Sequence, residues 1–362
     1  MPSILKPAMA HTTITTVLVL LPLPSSALAH LRTSVATVHY HPDGNAPKHI
    51  LPTTEVIFCS WSGPPGITTL AEVPRLRHVQ LSTSGVEKAL GHSLVKEIMQ
   101  GDGRISISSA SGIHAASIPN YCVAMVINLL HRLDSQLYIG RTERRWAASE
   151  EFPSRAGPNY VARGLRGKTA GLLGYGHLGR ETARLLQAFG VNIIAANSSG
   201  KATVDDGFIL PGTGDREGTI PSTYYCSRDA TAFHEFLSRS QILICSLPST
   251  PQTVMMLGKP EMDLLPEDAI FINVGRGDLL SSDTLMHALN TNLLGAAIDV
   301  TDPEPLPTDH PLWSHPNLLI TPHLSGDAEG EKEMATELLV GSIRRMESGG
   351  LAFNAVNVNK GY

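Results

Sequence analysis

The amino-acid sequence predicts an α/β protein built on a doubly wound parallel sheet, and three observations carry that prediction. An apolar run, Thr169 to Leu173, passes through Gly174-Tyr175-Gly176-His177-Leu178-Gly179 into a helical pattern at Arg184, Leu185, Leu186 and Phe189. Short apolar runs alternate with helical patterns on both sides of it. Several of these runs end in loops of glycine, proline and charged residues, where open α/β sheets gather their ligands.

From the N-terminus, Thr15 to Leu23 is strongly apolar, and Val17 to Leu21 reads as a buried first strand. Lys6 and Ala27-Leu28-Ala29 give the same stretch some likeness to a secretory signal, but Pro22 and Pro24 interrupt it. The expectation is a retained strand in a cytoplasmic protein, with Ser25 and Ser26 capping a helix through Ala27 to Val35. Ala36 to Tyr40, Glu55 to Cys59 and Leu76 to Leu81 are further strands. The last of these enters Ser82-Thr83-Ser84-Gly85, a loop able to point backbone N–H groups at an anion. A helix near Val86 to Leu90 and a strand at Ile105 to Ser108 complete a compact α/β domain over residues 14 to 115.

Ser117 to Leu133, with Pro119 in its first turn, is one long apolar helix suited to linking two domains. Residues 134 to 168 are more polar. There Arg144, Arg145 and Trp146 either line a cleft or form a solvated arginine pair beside a packed tryptophan, and Pro153 to Pro158 is a proline and glycine segment. After the strand Asn192 to Ala196, Gly207 to Tyr225 is glycine- and proline-rich and reads as a surface excursion. Helix Phe233 to Leu237, strand Ile242 to Leu247, strand Ala269 to Val274, helix Thr284 to Leu289, and strands Leu294 to Ile298 and Leu318 to Ile320 follow.

With 362 residues and 42% hydrophobic content, the chain can bury more than one core, and two domains are expected. A net charge of -5 with scattered Lys and Arg gives no footprint for nucleic acid. No segment beyond the N-terminal run approaches the length of a membrane span. Cys59, Cys122, Cys226 and Cys245 are too far apart for a close-spaced metal pair and read as free thiols, so no metal is expected.

The glycine turn points to a dinucleotide. Gly174 permits the turn, Gly176 admits a pyrophosphate to the backbone, and Gly179 lets the helix pack closely on the sheet. Asn197 closes the next strand, where an acid would favour NAD. Asn197, Ser198, Ser199 and Lys201 instead offer groups for a phosphate. NADP(H) is therefore expected ahead of NAD(H), although the turn contains no arginine.

Three other strand ends carry chemistry. Ile272-Asn273-Val274 stops at Gly275-Arg276-Gly277, where the glycines are expected to leave room around a guanidinium. Ile298-Asp299-Val300 leads to Asp302-Pro303-Glu304-Pro305, and Leu319-Ile320-Thr321 to Pro322-His323. An arginine clamps a carboxylate or polarises a carbonyl, and a histidine beside a carboxylate exchanges a proton near neutral pH. Each residue alone has a bland explanation, but together on one sheet they define a candidate site.

These residues, with Leu165-Arg166-Gly167-Lys168, Leu247-Pro248-Ser249-Thr250-Pro251-Gln252-Thr253 and Ala297 to Leu306, give the chain a resemblance to the D-isomer-specific 2-hydroxyacid dehydrogenases over nearly its whole length. The resemblance implies two Rossmann-like domains. A cofactor domain, residues 119–321, is inserted into a discontinuous substrate domain of residues 1–118 and 322–362, with Glu331 to Met346 as the return helix. It implies Arg276, Glu304 and His323 as the catalytic set acting on a small 2-oxoacid or D-2-hydroxyacid. Ser84 and Gly85 become carboxylate-binding backbone. Leu247, Pro248, Thr253, Val274, Gly275, Asp299 and His323 join the glycine turn and the Asn197 to Lys201 turn in holding the cofactor. A homodimer is a family expectation. The chain departs from the pattern at Asn120, usually acidic, and at Asn197, and its 207–225 stretch resembles a fungal-type branch. A nucleotide-sensing protein with little catalysis is the alternative on the same fold, and a methyltransferase-like nucleotide enzyme a more remote one.

Overall fold

A computed structural model describes residues 13–153 and 157–356. Lys6 and positions 154–156 of the proline and glycine segment lie outside the described residues. The chain divides into two compact units, the first made of 1–113, 206–208 and 329–362, the second of 114–205 and 209–328.

In the first unit, β1 (Thr16–Val19), α1 (Ser25–Ser34), β2 (Thr37–Tyr40), β3 (Val56–Cys59), β4 (His78–Leu81), α2 (Glu87–Leu90), α3 (Ser93–Gln100) and β5 (Ser106–Ser108) follow in order. The strands form one parallel sheet ordered β2-β1-β3-β4-β5. β1 pairs with both β2 and β3 and is buried throughout, so cleavage after Ala29 would remove an interior strand. The serine cap expected for α1 is absent: the helix begins at Ser25 behind Pro24, and Ser26 Oγ donates to Glu333 instead (2.8 Å). Sequence periodicity passed over α3, although Leu94, Val95 and Ile98 place its apolar face in the core.

The second unit opens with α4 (Ile118–His131) and α5 (Leu133–Tyr138). It continues with β6 (Thr169–Leu173), α6 (His177–Ala188), β7 (Asn192–Asn197), β8 (Thr223–Cys226), α7 (Ala230–Arg239) and β9 (Ile242–Cys245). Then come α8 (Lys259–Asp263), β10 (Ala269–Asn273), α9 (Ser282–Thr291), β11 (Leu293–Ile298) and β12 (Leu318–Ile320). Seven parallel strands run in the order β12-β11-β10-β9-β6-β7-β8, so the winding direction reverses between β6 and β9. Register aligns Leu173 with Cys245, Cys245 with Asn273, and Asn273 with Ile298. The loops after these strands therefore leave from one level of the sheet.

The structure departs from the sequence expectation at two places. The 207–225 stretch is more than a surface excursion, because it ends in β8 and contains the buried Asp215. Trp146 is not packed: it is 97% exposed, while Arg145 bonds to Glu143 and Glu151. Cys59, Cys122 and Cys245 are buried free thiols, and Cys226 is half-buried. Among the described residues no helix is long and apolar enough to cross a membrane, and no group of three or more His, Cys, Asp or Glu side chains is placed to hold a metal.

The chain returns to the first unit through α10 (Glu331–Glu347), which packs along α1, with His30 Nε2 2.8 Å from Glu337. The following tail runs against β5: Ser109 N donates to Asn354 O (3.3 Å) and Val356 N to Ile107 O (2.8 Å).

Candidate active site

The three glycines after β6 are distinguished by what a side chain would meet. Gly174 has φ +97°, a left-handed conformation that favours glycine. A Cβ on Gly179 would fall 2.3 Å from Gly174 O, so only glycine lets α6 start this close to the turn. Gly176, the residue preceding α6, faces open space within 4 Å and is exposed. That open backbone at a helix N-terminus fits a pyrophosphate. Tyr175 points inward: its hydroxyl donates to Asp215 (2.7 Å), and burial pushes its pKa up. His177 Nε2 lies 3.4 Å from Asp205, and Leu178 is half-buried.

The stretch after β7 is folded onto this turn by buried polar groups that single-sequence reading missed. Arg180 donates through Nη1 to Asp215 O (2.5 Å) and through Nη2 to Thr203 O (2.7 Å). Glu181 accepts from Gly214 N (2.6 Å) and from Arg184. Both Arg180 and Glu181 are buried on α6, where charged side chains are retained only when paired. The signal was present as a charged Arg-Glu pair at the start of an otherwise amphipathic helix.

Asn197 serves its own turn. Its Oδ1 accepts from Ser199 N (3.0 Å), Ser199 Oγ (3.0 Å) and Gly200 N (2.7 Å), while Nδ2 donates to Lys201 O (2.9 Å). Ser198 and Lys201 remain exposed. The turn is thus organised by the residue that was expected mainly as a ligand.

The loops after β9 and β10 interlock. A Cβ on Gly275 would sit 2.5 Å from Leu247 O, and one on Gly277 would sit 2.1 Å from Thr301 O. These glycines make room for neighbouring backbone, not for the guanidinium as the sequence had implied. Asn273 is buried, accepts from Gly275 N (3.1 Å) and donates to Arg276 O (2.9 Å), which fixes the loop carrying Arg276. Arg276 Nη1 donates to Gly275 O (2.8 Å). Val274 is buried, and Thr253 Oγ1 donates to Pro248 O (2.7 Å), closing the loop that follows Leu247.

Asp299 leaves β11 buried. It accepts from Thr321 Oγ1 (2.5 Å), Leu324 N (3.3 Å), Ser325 N (3.1 Å) and Ser325 Oγ (2.5 Å). These bonds fasten both limbs of the loop whose middle is His323. His323 itself has φ +56°, uncommon for a residue with a side chain, and its Nδ1 lies 2.7 Å from Glu304 Oε1. The structure therefore brings Glu304 and His323 together and puts Arg276 on a loop of the same sheet. Ser84 and Gly85 belong to the first unit, where Ala110 N bonds Thr83 O (2.8 Å) and Thr83 Oγ1 bonds Gly85 O (3.1 Å).

Residues 123–325 match the family model described as the NAD binding domain of D-isomer specific 2-hydroxyacid dehydrogenases. The chain is 29% identical over 299 residues to the glyoxylate/hydroxypyruvate reductase A of Photorhabdus laumondii, a match spanning 82% of this chain and 85% of that protein. It is 32% identical over 243 residues to the protein of that name from Salmonella paratyphi B, spanning 67% and 68% respectively. A solved D-isomer specific 2-hydroxyacid dehydrogenase from Xanthobacter autotrophicus Py2, in complex with NADPH and MES, shares the fold: TM-score 0.72, 23% identity, 97% of this chain and all of that one.

Proposed function

The chain belongs to the D-isomer-specific 2-hydroxyacid dehydrogenase family and is a nicotinamide-dependent oxidoreductase; from that premise we propose that it reduces a small 2-oxoacid to its D-2-hydroxyacid, with NADPH preferred over NADH. The observation that carries the reading is the 2.7 Å pairing of His323 with Glu304 on loops of the sheet that also presents Arg276. The glyoxylate/hydroxypyruvate reductases among its relatives support the size of substrate.

Arg276 binds the substrate carboxylate and orients the carbonyl oxygen. The nicotinamide, when bound, supplies the hydride to the C2 carbon. Glu304 accepts a hydrogen bond from His323 Nδ1–H, which fixes the ring so that Nε2 carries the proton given to the developing alkoxide. The Glu304 carboxylate stabilises the imidazolium that precedes this transfer, and solvent returns the proton to the neutral ring afterwards. Gly174 to Gly179 hold the pyrophosphate. Asp299 acts mainly by holding the His323 loop, because its carboxylate already accepts four hydrogen bonds.

Preference for NADPH rests on the absence of a carboxylate at Asn197 and on the exposed Ser198 and Lys201. Asn197 carries no charge to repel the 2′-phosphate of NADPH, and because its amide is engaged in the turn it offers NADH no dedicated ribose acceptor. We further infer a homodimer paired through the cofactor unit and a cytoplasmic location. The test is NADPH oxidation with glyoxylate, hydroxypyruvate and bulkier 2-oxoacids. Reduction of at least one small member, faster with NADPH than NADH, is expected; tight cofactor binding without turnover across the panel would sink the proposed reaction.

A further inference from the structure

The turn after β7 contains no arginine, yet a planar, bidentate cation is the side chain best matched to a phosphate. The neighbouring strand supplies one. β7 and β8 run parallel to their ends, where Asn197 is paired with Cys226. Ser227 N donates to Asn197 O (2.8 Å), and Cys226 Sγ donates to Ser198 O (3.4 Å). Gly200, at φ +66°, is so close that a Cβ would lie 2.9 Å from Cys226 N. The Asn197 to Lys201 turn therefore rests directly on the exit of β8. Arg228 follows Cys226 by two residues, which keeps its Cα within about 7 Å of Cys226 Cα.

We propose that Arg228, with Lys201 on the turn itself, selects a 2′-phosphorylated dinucleotide. The inference rests on the reading of NADPH as the preferred cofactor and names the residue that would produce that preference. Arg228 and Lys201 are both exposed, and neither side chain is engaged in an ion pair among the described residues. Asp229, the carboxylate next to Arg228, is occupied as the N-cap of α7, accepting from Ala232 N (2.9 Å). That bond is one the helix start favours independently of any ligand. Two cations and the Ser198 hydroxyl thus border a turn whose backbone is held by Asn197 and Cys226. A ribose bearing a phosphate gains charge-assisted bonds there, and one bearing only hydroxyls does not.

The experiment compares the unaltered protein with Arg228→Ala, Arg228→Lys and Lys201→Ala. One measurement is kcat/KM for NADPH and for NADH with glyoxylate; the other is calorimetric binding of adenosine 2′,5′-bisphosphate and of AMP, which needs no turnover. For Arg228→Ala the NADPH-to-NADH efficiency ratio should fall by about 10- to 100-fold, the size of one lost charge-assisted contact. Affinity for the bisphosphate should fall in parallel while that for AMP does not. Arg228→Lys should retain part of the preference, and Lys201→Ala should produce a smaller fall. Equal losses for both dinucleotides would overturn the inference, because they would mark Arg228 as structural. If the unaltered protein prefers NADPH but Arg228→Ala leaves the ratio intact, this inference fails and the NADPH reading stands. If the unaltered protein binds bisphosphate no better than AMP and prefers NADH, the NADPH reading itself fails.

Discussion

Two carboxylates leave the same end of β11 within five residues of each other and meet opposite fates. Asp299 is 2% exposed and accepts four hydrogen bonds, which uses the lone pairs a carboxylate normally presents. The Glu304 side chain is 44% exposed and accepts one bond, from His323, whose own side chain is 46% exposed. The buried group fixes a loop and has its lone pairs engaged in doing so. The open pair has only the capacity to exchange a proton, and depends on the buried group for its position. Stability and turnover should therefore respond to different residues along one short stretch of chain.

The largest effect expected from breaking that division is on turnover. His323→Ala removes the proposed proton donor and should lower kcat by about 10²- to 10⁴-fold, the usual range for a positioned acid. Cofactor affinity, measured by fluorescence titration, should fall far less than turnover. Glu304→Gln keeps the shape but not the charge, and should lower kcat substantially while changing stability by no more than about 0.5 kcal/mol, since the pair is solvent-exposed. An active His323→Ala protein would remove the histidine from the mechanism.

Asp299→Asn sharpens the contrast from the other side. An amide can still accept from Thr321 and Leu324, but its NH₂ would face Ser325 N–H, donor against donor. The loss should be about 1–3 kcal/mol of unfolding free energy, the range for stranding a buried polar group. Urea denaturation measures it directly. Should Asp299→Asn and Glu304→Gln prove equally stable, the proposed division between holding and reacting roles would not survive.

What could be read in advance follows from how local the cause is. Gly174, Gly176 and Gly179 announce their turn because φ, open approach and close packing are set by residues next to them. The apolar runs of β6, β9 and β10 were legible for the same reason: strands covered on both faces are apolar throughout. By contrast β8, Thr223–Cys226, carries no alternating pattern and exists through its pairing with β7. Its exit brings Arg228 beside a turn some thirty residues upstream, which no spacing rule records. Gly275 and Gly277 were identified as necessary for the wrong reason, since their neighbours, Leu247 and Thr301, come from other strands. The three-residue link from Asp299 through Thr321 to Tyr121 spans two strands and a helix and was equally invisible.

That link yields the smallest expected effect, and its size follows from counting protons. Burial pushes the Tyr121 hydroxyl up to about 12, so it is neutral and carries one hydrogen. Thr321 Oγ1 gives its only hydrogen to Asp299, and Tyr121 must therefore donate to Thr321 across their 2.8 Å contact. Tyr121→Phe removes the outermost donor and strands nothing, because Thr321 can still donate inward. It should cost about 0.5–1.5 kcal/mol and leave kcat nearly unchanged. Thr321→Val has almost the same shape change but removes the middle of the chain, leaving the Tyr121 donor unpaired and Asp299 one donor short. It should cost more, about 2–3 kcal/mol. Adding Tyr121→Phe to Thr321→Val should then recover part of the loss, since the orphaned donor is gone. A double variant less stable than Thr321→Val alone would reverse the inferred direction of the relay and detach Tyr121 from the Asp299 network.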